Sequence, residues 1–253
     1  MRLFCDMREI ITSTKNATVK LARSLAEKKF REEHGLFLVE GGNIVKDIPA
    51  GTEVEFYLVS ESRAEETAAA LALTRANVYY VTDAVMKSLS DTVTPYGLAA
   101  AVKIPERQFA LPEGNAILLD GVSDPGNLGT VIRTAAAAGF GDVYLLGCAD
   151  PYSGKAVRAS MGGIFRVRVT EVSEEQAVAL VVGTSSVTLD MGGENILANG
   201  LRAPVTLVAG SEAHGVRKII ADSSEKIGSL PMQGGMESLN VAIAAAVAMY
   251  SVK

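Results

Sequence analysis

The chain has 253 residues, of which 48% are hydrophobic and 21% charged. This length and composition exclude a disordered or collagen-like protein and fit one large or two modest globular domains. Cys5 and Cys148 lack a CxxC spacing and have only two histidines to assist them, so we expect neither a disulfide scaffold nor a metal. The apolar stretch 241–252 is shorter than the roughly 18 residues that suggest a membrane span, and no signal-peptide pattern is seen. We therefore expect a cytoplasmic protein without membrane contact.

Basic residues are concentrated near the N-terminus although the chain is acidic overall, with a net charge of −5. Residues 8–31 hold seven basic side chains against two acidic ones. A compact basic segment on an acidic protein predicts docking onto one polyanion site, such as RNA. The alternative is a helix that merely exposes a solvated face. The residues expected to contact RNA are Lys15, Lys20, Arg23, Lys28 and Arg31.

The first hundred residues are predicted to alternate between helices and strands, which indicates an α/β unit. The patterns predict helices at 16–29, 64–76 and 83–89, a short helical stretch after the Gly41-Gly42 turn, and strands at 35–41, 53–59, 77–81 and 97–104. We assign residues 1–104 to an N-terminal RNA-binding domain. Residues 105–115 contain two prolines and no periodicity, so we assign them to a linker.

Residues 116–253 are predicted to form a second α/β domain with a mainly parallel sheet between helices. Apolar runs such as AILLDGV and PVTLVAG lack the two-residue alternation of a half-exposed strand. Strands are predicted at 116–122, 142–147, 165–170, 186–190, 204–210 and 226–231. Helices are predicted at 129–138, 156–162, 174–181 and 239–250, with a turn or short helix at 216–222.

Three unusual loops follow strands of this predicted sheet, which is where open parallel sheets bind ligands. In the first, 124–139, Asn127 lies in a proline- and glycine-containing turn and Arg133 interrupts an apolar helix. A guanidinium in such a place is typical of a carboxylate or phosphate contact, and a structural salt bridge is the alternative. The loop lacks the GxGxxG fingerprint, which disfavours a nicotinamide-dependent oxidoreductase.

The second loop, AGSEAHG at 209–215, places Glu212 and His214 between glycines that permit close approach of a ligand. His214 could serve as a general base, although a single exposed loop histidine is more often inert. The third loop, at 230–250, has Ser238 and Asn240 at the start of a helix. Ser238 as the helix N-cap is the structural alternative, and it leaves Asn240 without a role.

The segments NLGTVIRTA, LVAGSEAHGV and LPMQGGMESLNVAIAAAVAMY, in this order, resemble the three motifs of the SpoU/TrmH family of RNA 2′-O-ribose methyltransferases, in the SPOUT superfamily. The resemblance covers residues 116–253. More loosely, STKNATVKLARSL and FLVEGGNIV resemble the start of the family's substrate-recognition domain. The family resemblance implies a deep trefoil knot, S-adenosylmethionine as cofactor, and a homodimer whose active site is completed across the interface. It favours ribosomal RNA over tRNA as substrate.

Roles for single residues follow from the same resemblance. The polar residues matched to the family's functional positions are Asn127, Arg133, Glu212, Ser238 and Asn240. The residues whose backbone would embrace the cofactor are Leu207, Ala209, Gly210, Ile227, Leu230, Met232 and Leu239. Ala209 and Ser211 stand where the family more often has bulkier residues or Asn.

Methyl transfer to a ribose hydroxyl needs an in-line approach and stabilisation of the developing alkoxide, and it needs no metal. Arg133 would hold the nucleotide's phosphate and place positive charge beside the 2′-oxygen. A guanidinium is a poor proton acceptor, so we favour this electrostatic role over Arg133 as the base. Asn127 and Asn240 would position the ribose and the loop, Ser238 would bond substrate or cofactor, and Glu212 would orient Arg133 or a neighbouring loop. The remaining alternative is a non-catalytic RNA-binding or ribosome-assembly protein.

Overall fold

The structure is a computed structural model that describes residues 9–71, 74–89, 96–211, 213–236 and 238–253. The chain divides into two compact units. The first runs to Pro105, and residues 152–154 group with it; the second contains Glu106–Pro151 and Lys155–Lys253. No helix within the described ranges is both long and apolar enough to cross a bilayer.

The first unit contains a five-stranded sheet and five α-helices in the described residues. The strands are β1 (Ile10–Ile11), β2 (Leu36–Glu40), β3 (Val54–Ser60), β4 (Asn77–Val81) and β5 (Leu98–Lys103). The helices are α1 (Ala17–Ser24), α2 (Lys28–His34), α3 (Gly42–Lys46), α4 (Ala64–Leu71) and α5 (Asp83–Lys87), with a 3₁₀ turn at Glu61–Arg63. Strand β1 is an addition to the predicted set.

The first sheet is mixed, in the order β1-β4-β3-β5-β2. Strand β4 pairs parallel with β1 and β3, whereas β5 runs antiparallel to β2 and β3. Helix α1 and its C-cap residue contribute Val19, Ala22 and Leu25 to a cluster that also contains Leu58 and Ala99 of the sheet. Their spacing of three residues places all three on one side of the chain, so the charged residues between them face outward.

The prediction of a single helix at 16–29 is wrong, because the structure has two helices in this region. Helix α1 ends at Ser24, and α2 starts at Lys28 and continues to His34. The Arg31 guanidinium donates hydrogen bonds of 2.6 and 2.8 Å to the carbonyls of Leu25 and Ala26. These carbonyls follow the end of α1, so Arg31 stabilises the break between the helices. Such a contact leaves no trace in the apolar periodicity.

The second unit alternates strands and helices along its length. The strands are β6 (Ala116–Asp120), β7 (Asp142–Leu146), β8 (Arg168–Glu171), β9 (Ser186–Asn195), β10 (Thr206–Gly210) and β11 (Lys226–Ser229). The helices are α6 (Pro125–Ala138), α7 (Gly154–Ser160), α8 (Glu174–Val182), α9 (Ile196–Asn199), α10 (Lys218–Ser223) and α11 (Val241–Tyr250), with a 3₁₀ turn at Gly163–Phe165.

The second sheet has the order β11-β9-β10-β6-β7-β8, and every pairing in it is parallel. This confirms the predicted parallel sheet. Strand β9 was predicted to end at residue 190, but it continues to Asn195. Its pairing with β11 passes from Thr188 directly to Glu194, so residues 189–193 leave the ladder as an irregularity at the carboxyl edge.

Helix α6 begins four residues earlier than predicted. The Asp124 side chain accepts a 2.8 Å hydrogen bond from the amide of Asn127, and Pro125 occupies the first turn. Both residues are favoured at helix starts, because the aspartate caps a free amide and the proline has none to lose. The DPGN segment is therefore a cap and first helical turn. It places Asn127 at the amino end of α6, beyond the carboxyl end of β6.

A buried ion pair ties the loop after β10 to the end of β6. Asp120 is 2% exposed, and its carboxylate accepts a 2.7 Å hydrogen bond from the Arg217 amide and lies 3.1 Å from the guanidinium Nε. The same guanidinium lies 3.2 Å from Glu174 at the start of α8. Three segments far apart in the chain therefore meet at one arginine, which fixes the start of α10.

We expect Asp120→Ala to lower the free energy of unfolding by about 2 kcal/mol, because it removes the acceptor of an amide and the partner of a half-exposed arginine. Urea denaturation would measure the change. The matched control is Asp222→Ala, which breaks the exposed ion pair with Lys218 and should cost less than about 0.5 kcal/mol. Equal losses in the two variants would contradict a special role for the buried pair.

Candidate active site

An apolar cleft opens at the carboxyl ends of β9, β10 and β11. It contains Ala209, Gly210, Leu230, Met232 and Leu239 of the predicted cofactor residues, together with Ser238. The other described residues that line it are Leu189, Asp190, Met191, Ser211, Gly215, Gly228, Val241 and Ala244. Two predicted cofactor residues lie elsewhere, because Leu207 is buried within β10 and Ile227 pairs with Thr188 inside the sheet.

Tight backbone packing shapes this cleft. A side chain at Gly210 would overlap the backbone of Gly215, and one at Gly193 would come within 2.5 Å of the carbonyl carbon of Ile227. The amide of Gly215 donates a 2.9 Å hydrogen bond to the Ser211 carbonyl, which closes the loop after β10. Only glycine allows such approaches, so two backbone segments come close together beside the cleft. Glu212 lies in this loop but outside the described residues.

Asn127 and Asn240 of the predicted site meet directly. The Asn240 side-chain amide donates a 3.1 Å hydrogen bond to Oδ1 of Asn127. Asn240 is also the N-cap of α11, where its own Oδ1 accepts from the amides of Ala242 and Ile243. The N-cap is thus Asn240 and not Ser238. Ser238 is exposed and lines the cleft.

Arg133 lies on the exposed side of α6 and does not belong to the residues that line the cleft. It follows Asn127 by six residues, about 9 Å along the helix and about 240° around it. The 3₁₀ turn at Gly163–Phe165 packs on α6 at this point, since a side chain at Gly163 would lie 2.9 Å from the Cα of Arg133. The backbone of Arg133 is therefore held by close packing, while its exposed side chain is not part of the cleft lining of its own chain.

His214 is exposed, and the structure does not place it among the cleft-lining residues. Its amide donates a 3.3 Å hydrogen bond to the Ser211 hydroxyl.

Burial raises the pKa of the Cys148 thiol to about 11, so this thiol is protonated at neutral pH. Within the ranges that the structure covers, no group of three or more His, Cys, Asp or Glu residues could hold a metal ion.

Most of the predicted RNA-contacting residues are at the surface. Lys15, Lys20, Arg23 and Lys28 are exposed, and Lys28 has a 3.6 Å contact with Glu32. Arg31 is the exception, because it is 3% exposed and its guanidinium serves the carbonyls after α1. Because Arg31 is buried, it is not among the predicted residues whose side chains can contact RNA.

Sequence reasoning missed several residues of the site. Leu189, Asp190 and Met191 reach the cleft because β9 leaves its pairing with β11 at this point. A glycine pair just after an apolar strand was the available signal. The Asp120–Arg217 pair had no local signal, since the two residues are far apart in the sequence and meet only through the order of the strands.

Two family models match segments of this chain. Residues 114–250 match the SpoU rRNA Methylase family, and residues 16–100 match the MRM3-like substrate binding domain. The chain is 32% identical to a 23S rRNA (guanosine(2553)-2′-O)-methyltransferase, RlmP, from Bacillus subtilis, over 96% of this chain and 98% of the relative.

Solved structures of similar proteins share the fold. A putative RNA methyltransferase of the TrmH family from Porphyromonas gingivalis superposes with a TM-score of 0.82 at 31% identity, over 94% of this chain and 98% of that chain. An AdoMet-bound rRNA methyltransferase from Sinorhizobium meliloti gives 0.84 at 27% identity, over 96% of both chains. The resemblance of the three loop motifs is thereby confirmed, and the chain belongs to the SpoU rRNA Methylase family.

Proposed function

We propose that this protein transfers a methyl group from S-adenosylmethionine to a ribose 2′-hydroxyl of ribosomal RNA. The observation that carries the proposal is the apolar cleft at the strand ends, next to the bonded pair Asn127 and Asn240. Membership of the SpoU family supports it. Two similar proteins also support the proposal. The B. subtilis relative is named as a 23S rRNA 2′-O-methyltransferase, and the S. meliloti structure is described as AdoMet-bound. We also propose that the reaction takes place in the cytoplasm.

The residues of the cleft fit this cofactor. Leu230, Met232 and Leu239 offer apolar surface to an adenine, and the glycines at positions 210 and 215 bring backbone groups within reach of its edge. When bound, S-adenosylmethionine supplies the methyl group from its sulfonium, whose sulfur leaves as a neutral thioether while the hydroxyl proton passes to the RNA phosphate. The protein then has to orient the two reactants and stabilise charge.

Arg133 supplies the charge in this proposal. It holds the phosphate of the target nucleotide and stabilises the oxygen that attacks the methyl group, while Asn127, Ser238 and Asn240 orient the ribose. Because Arg133 does not line the cleft of its own chain, we propose that it serves the cleft of a second copy. Glu212 keeps its predicted role of orienting Arg133 or a neighbouring loop.

A homodimer is therefore part of the proposal. Ile243, Val247 and Tyr250 are exposed at spacings of four and three residues, so they form an apolar stripe along α11. Helix α11 packs against α6, which carries Arg133. A two-fold interface on this stripe would bring α6 of one copy to the other copy. The deep knot implied by the family resemblance also stays a prediction.

We propose residues 1–104 as the RNA-binding domain, residues 105–115 as the linker and residues 116–253 as the methyltransferase domain. The match of residues 16–100 to a substrate binding domain supports the first assignment. The exposed basic residues of α1, with Lys15 before it and Lys28 after it, provide the RNA-facing charge.

Mapping of 2′-O-methyl groups tests the reaction. Ribosomal RNA from cells that lack the protein should lose one or more methylated sites, which wild-type protein should restore. Arg133→Ala should not restore them and should reduce turnover at least about 1,000-fold, while calorimetry still detects S-adenosylmethionine binding. Arg166→Ala, an exposed arginine after the 3₁₀ turn, is the control. If methylation of ribosomal RNA is unchanged and a methylated site in tRNA is lost, the substrate is tRNA. An active Arg133→Ala enzyme would refute the role of the arginine.

Replacement of Lys20, Arg23 and Lys28 by Gln should weaken RNA binding and make its salt dependence shallower, because fewer phosphates are neutralised. The slope of log K against log salt should fall by about 2. Fluorescence anisotropy at several salt concentrations measures this. The charge-matched control replaces Arg75, Lys87 and Lys103, which are also exposed in the first unit. Equal effects in the two triple variants would argue against a localised RNA site.

Ile243→Lys should convert a dimer into a monomer and abolish methyl transfer, because a charge would be buried in the apolar stripe. Analytical ultracentrifugation measures the mass. Val182→Lys is the control, since Val182 of α8 is more exposed, at 68% against 52% for Ile243. A wild-type protein that is monomeric and active, or an active monomeric variant, contradicts the shared site.

A further inference from the structure

A single charged side chain stands out in the cofactor cleft. Among its described lining residues, Asp190 alone carries a formal charge, and its neighbours Leu189 and Met191 are apolar. Asp190 lies in the segment that leaves the β9–β11 pairing. Its Oδ1 accepts a 3.0 Å hydrogen bond from the Gly192 amide, so the carboxylate is held in position. Enclosure of this cleft by a ligand would remove water from the carboxylate, which then needs hydrogen-bond donors from the ligand.

The sheet order indicates which part of the ligand supplies those donors. Strand β10 lies between β9, which carries Asp190, and β6, which leads into Asn127. Strands β9 and β6 are therefore two positions apart in the sheet, about 10 Å at the usual strand spacing, so the segments that carry Asp190 and Asn127 start at separate places along its carboxyl edge. The reactive methyl group has to face Asn127 and Asn240, so Asp190 meets a part of the cofactor that is remote from the methyl.

We propose that Asp190 binds the vicinal hydroxyls of the cofactor's ribose, an inference that rests on the proposed function. The two adjacent hydroxyls are donors, and a carboxylate accepts from both without needing to change its ionisation. An acidic residue near the end of a parallel strand recognises the ribose of dinucleotides by the same chemistry. The apolar neighbours of Asp190 suit a sugar and base better than the charged amino-acid end of the cofactor.

Asp190→Asn tests the inference, because the Asn carbonyl keeps an acceptor for the Gly192 amide and only the charge is lost. Isothermal titration calorimetry should give about tenfold weaker binding of S-adenosylmethionine, the loss of a charge-assisted hydrogen bond. The control is Asp222→Asn, an exposed aspartate of α10, which should bind as the wild type does. Equal thermal stability of the three proteins would show that the fold is retained.

Two ligand analogues locate the contact. 5′-Methylthioadenosine lacks the amino-acid end, and its 2′-deoxy analogue lacks one hydroxyl as well. Wild type should prefer the first by about tenfold, and Asp190→Asn should prefer it by less than about twofold. An unchanged preference, or a variant weakened for S-adenosylmethionine but not for 5′-methylthioadenosine, would overturn the inference. Absence of S-adenosylmethionine binding by the wild type would instead sink the proposed function itself.

Discussion

All six strands of the second sheet run parallel, so their carboxyl ends meet at one edge and the loops that leave them share the same space. Glycines allow these loops to pack closely in that space. Gly210 lies against the backbone of Gly215, and Gly193 lies against that of Ile227, at distances where a side chain cannot fit. The resulting walls present main-chain amides and carbonyls, which can recognise the edge of a base without any charge. The cleft is thus a consequence of how closely the loops are packed.

Strands of the parallel sheet were predictable, because each is a long apolar run between polar loops. The elements whose bounds were predicted wrongly are those that end or continue because of contacts with residues outside the element. The helix at 16–29 is interrupted because Arg31, six residues beyond the break, reaches back to bind free carbonyls. Strand β9 continues past residue 190 because β11 pairs with its far end. Neither partner can be read from the local pattern of apolar residues, since both interactions exist only once the chain has folded.

The residues of the candidate site also fall into those that the sequence predicts and those that it does not. Loop residues with unusual chemistry, such as Asn127, Ser238 and Asn240, could be selected from the sequence, because polar groups at strand ends have few other reasons to be there. The buried Asp120 could not, since it ends an apolar strand and its partner follows 97 residues later. Capping and ligand binding also compete for the same side chains. Asn240 caps α11 with its Oδ1 and donates a hydrogen bond to Asn127 from its side-chain amide, so one asparagine orders the helix and the site together.

The placement of Arg133 extends this argument from one chain to two. Helix α6 fixes the backbone of Arg133, and Gly163 packs closely against it at that point. The side chain is nevertheless exposed and does not line the cleft. A cation needed beside a reacting oxygen gains nothing from such a position in a monomer. In the proposed two-fold dimer the same position becomes useful, because one symmetric interface supplies an arginine to both clefts at once. With the positive charge supplied by the second copy, the cleft needs no cation of its own, and Asp190 stays the one charged residue among its described lining residues.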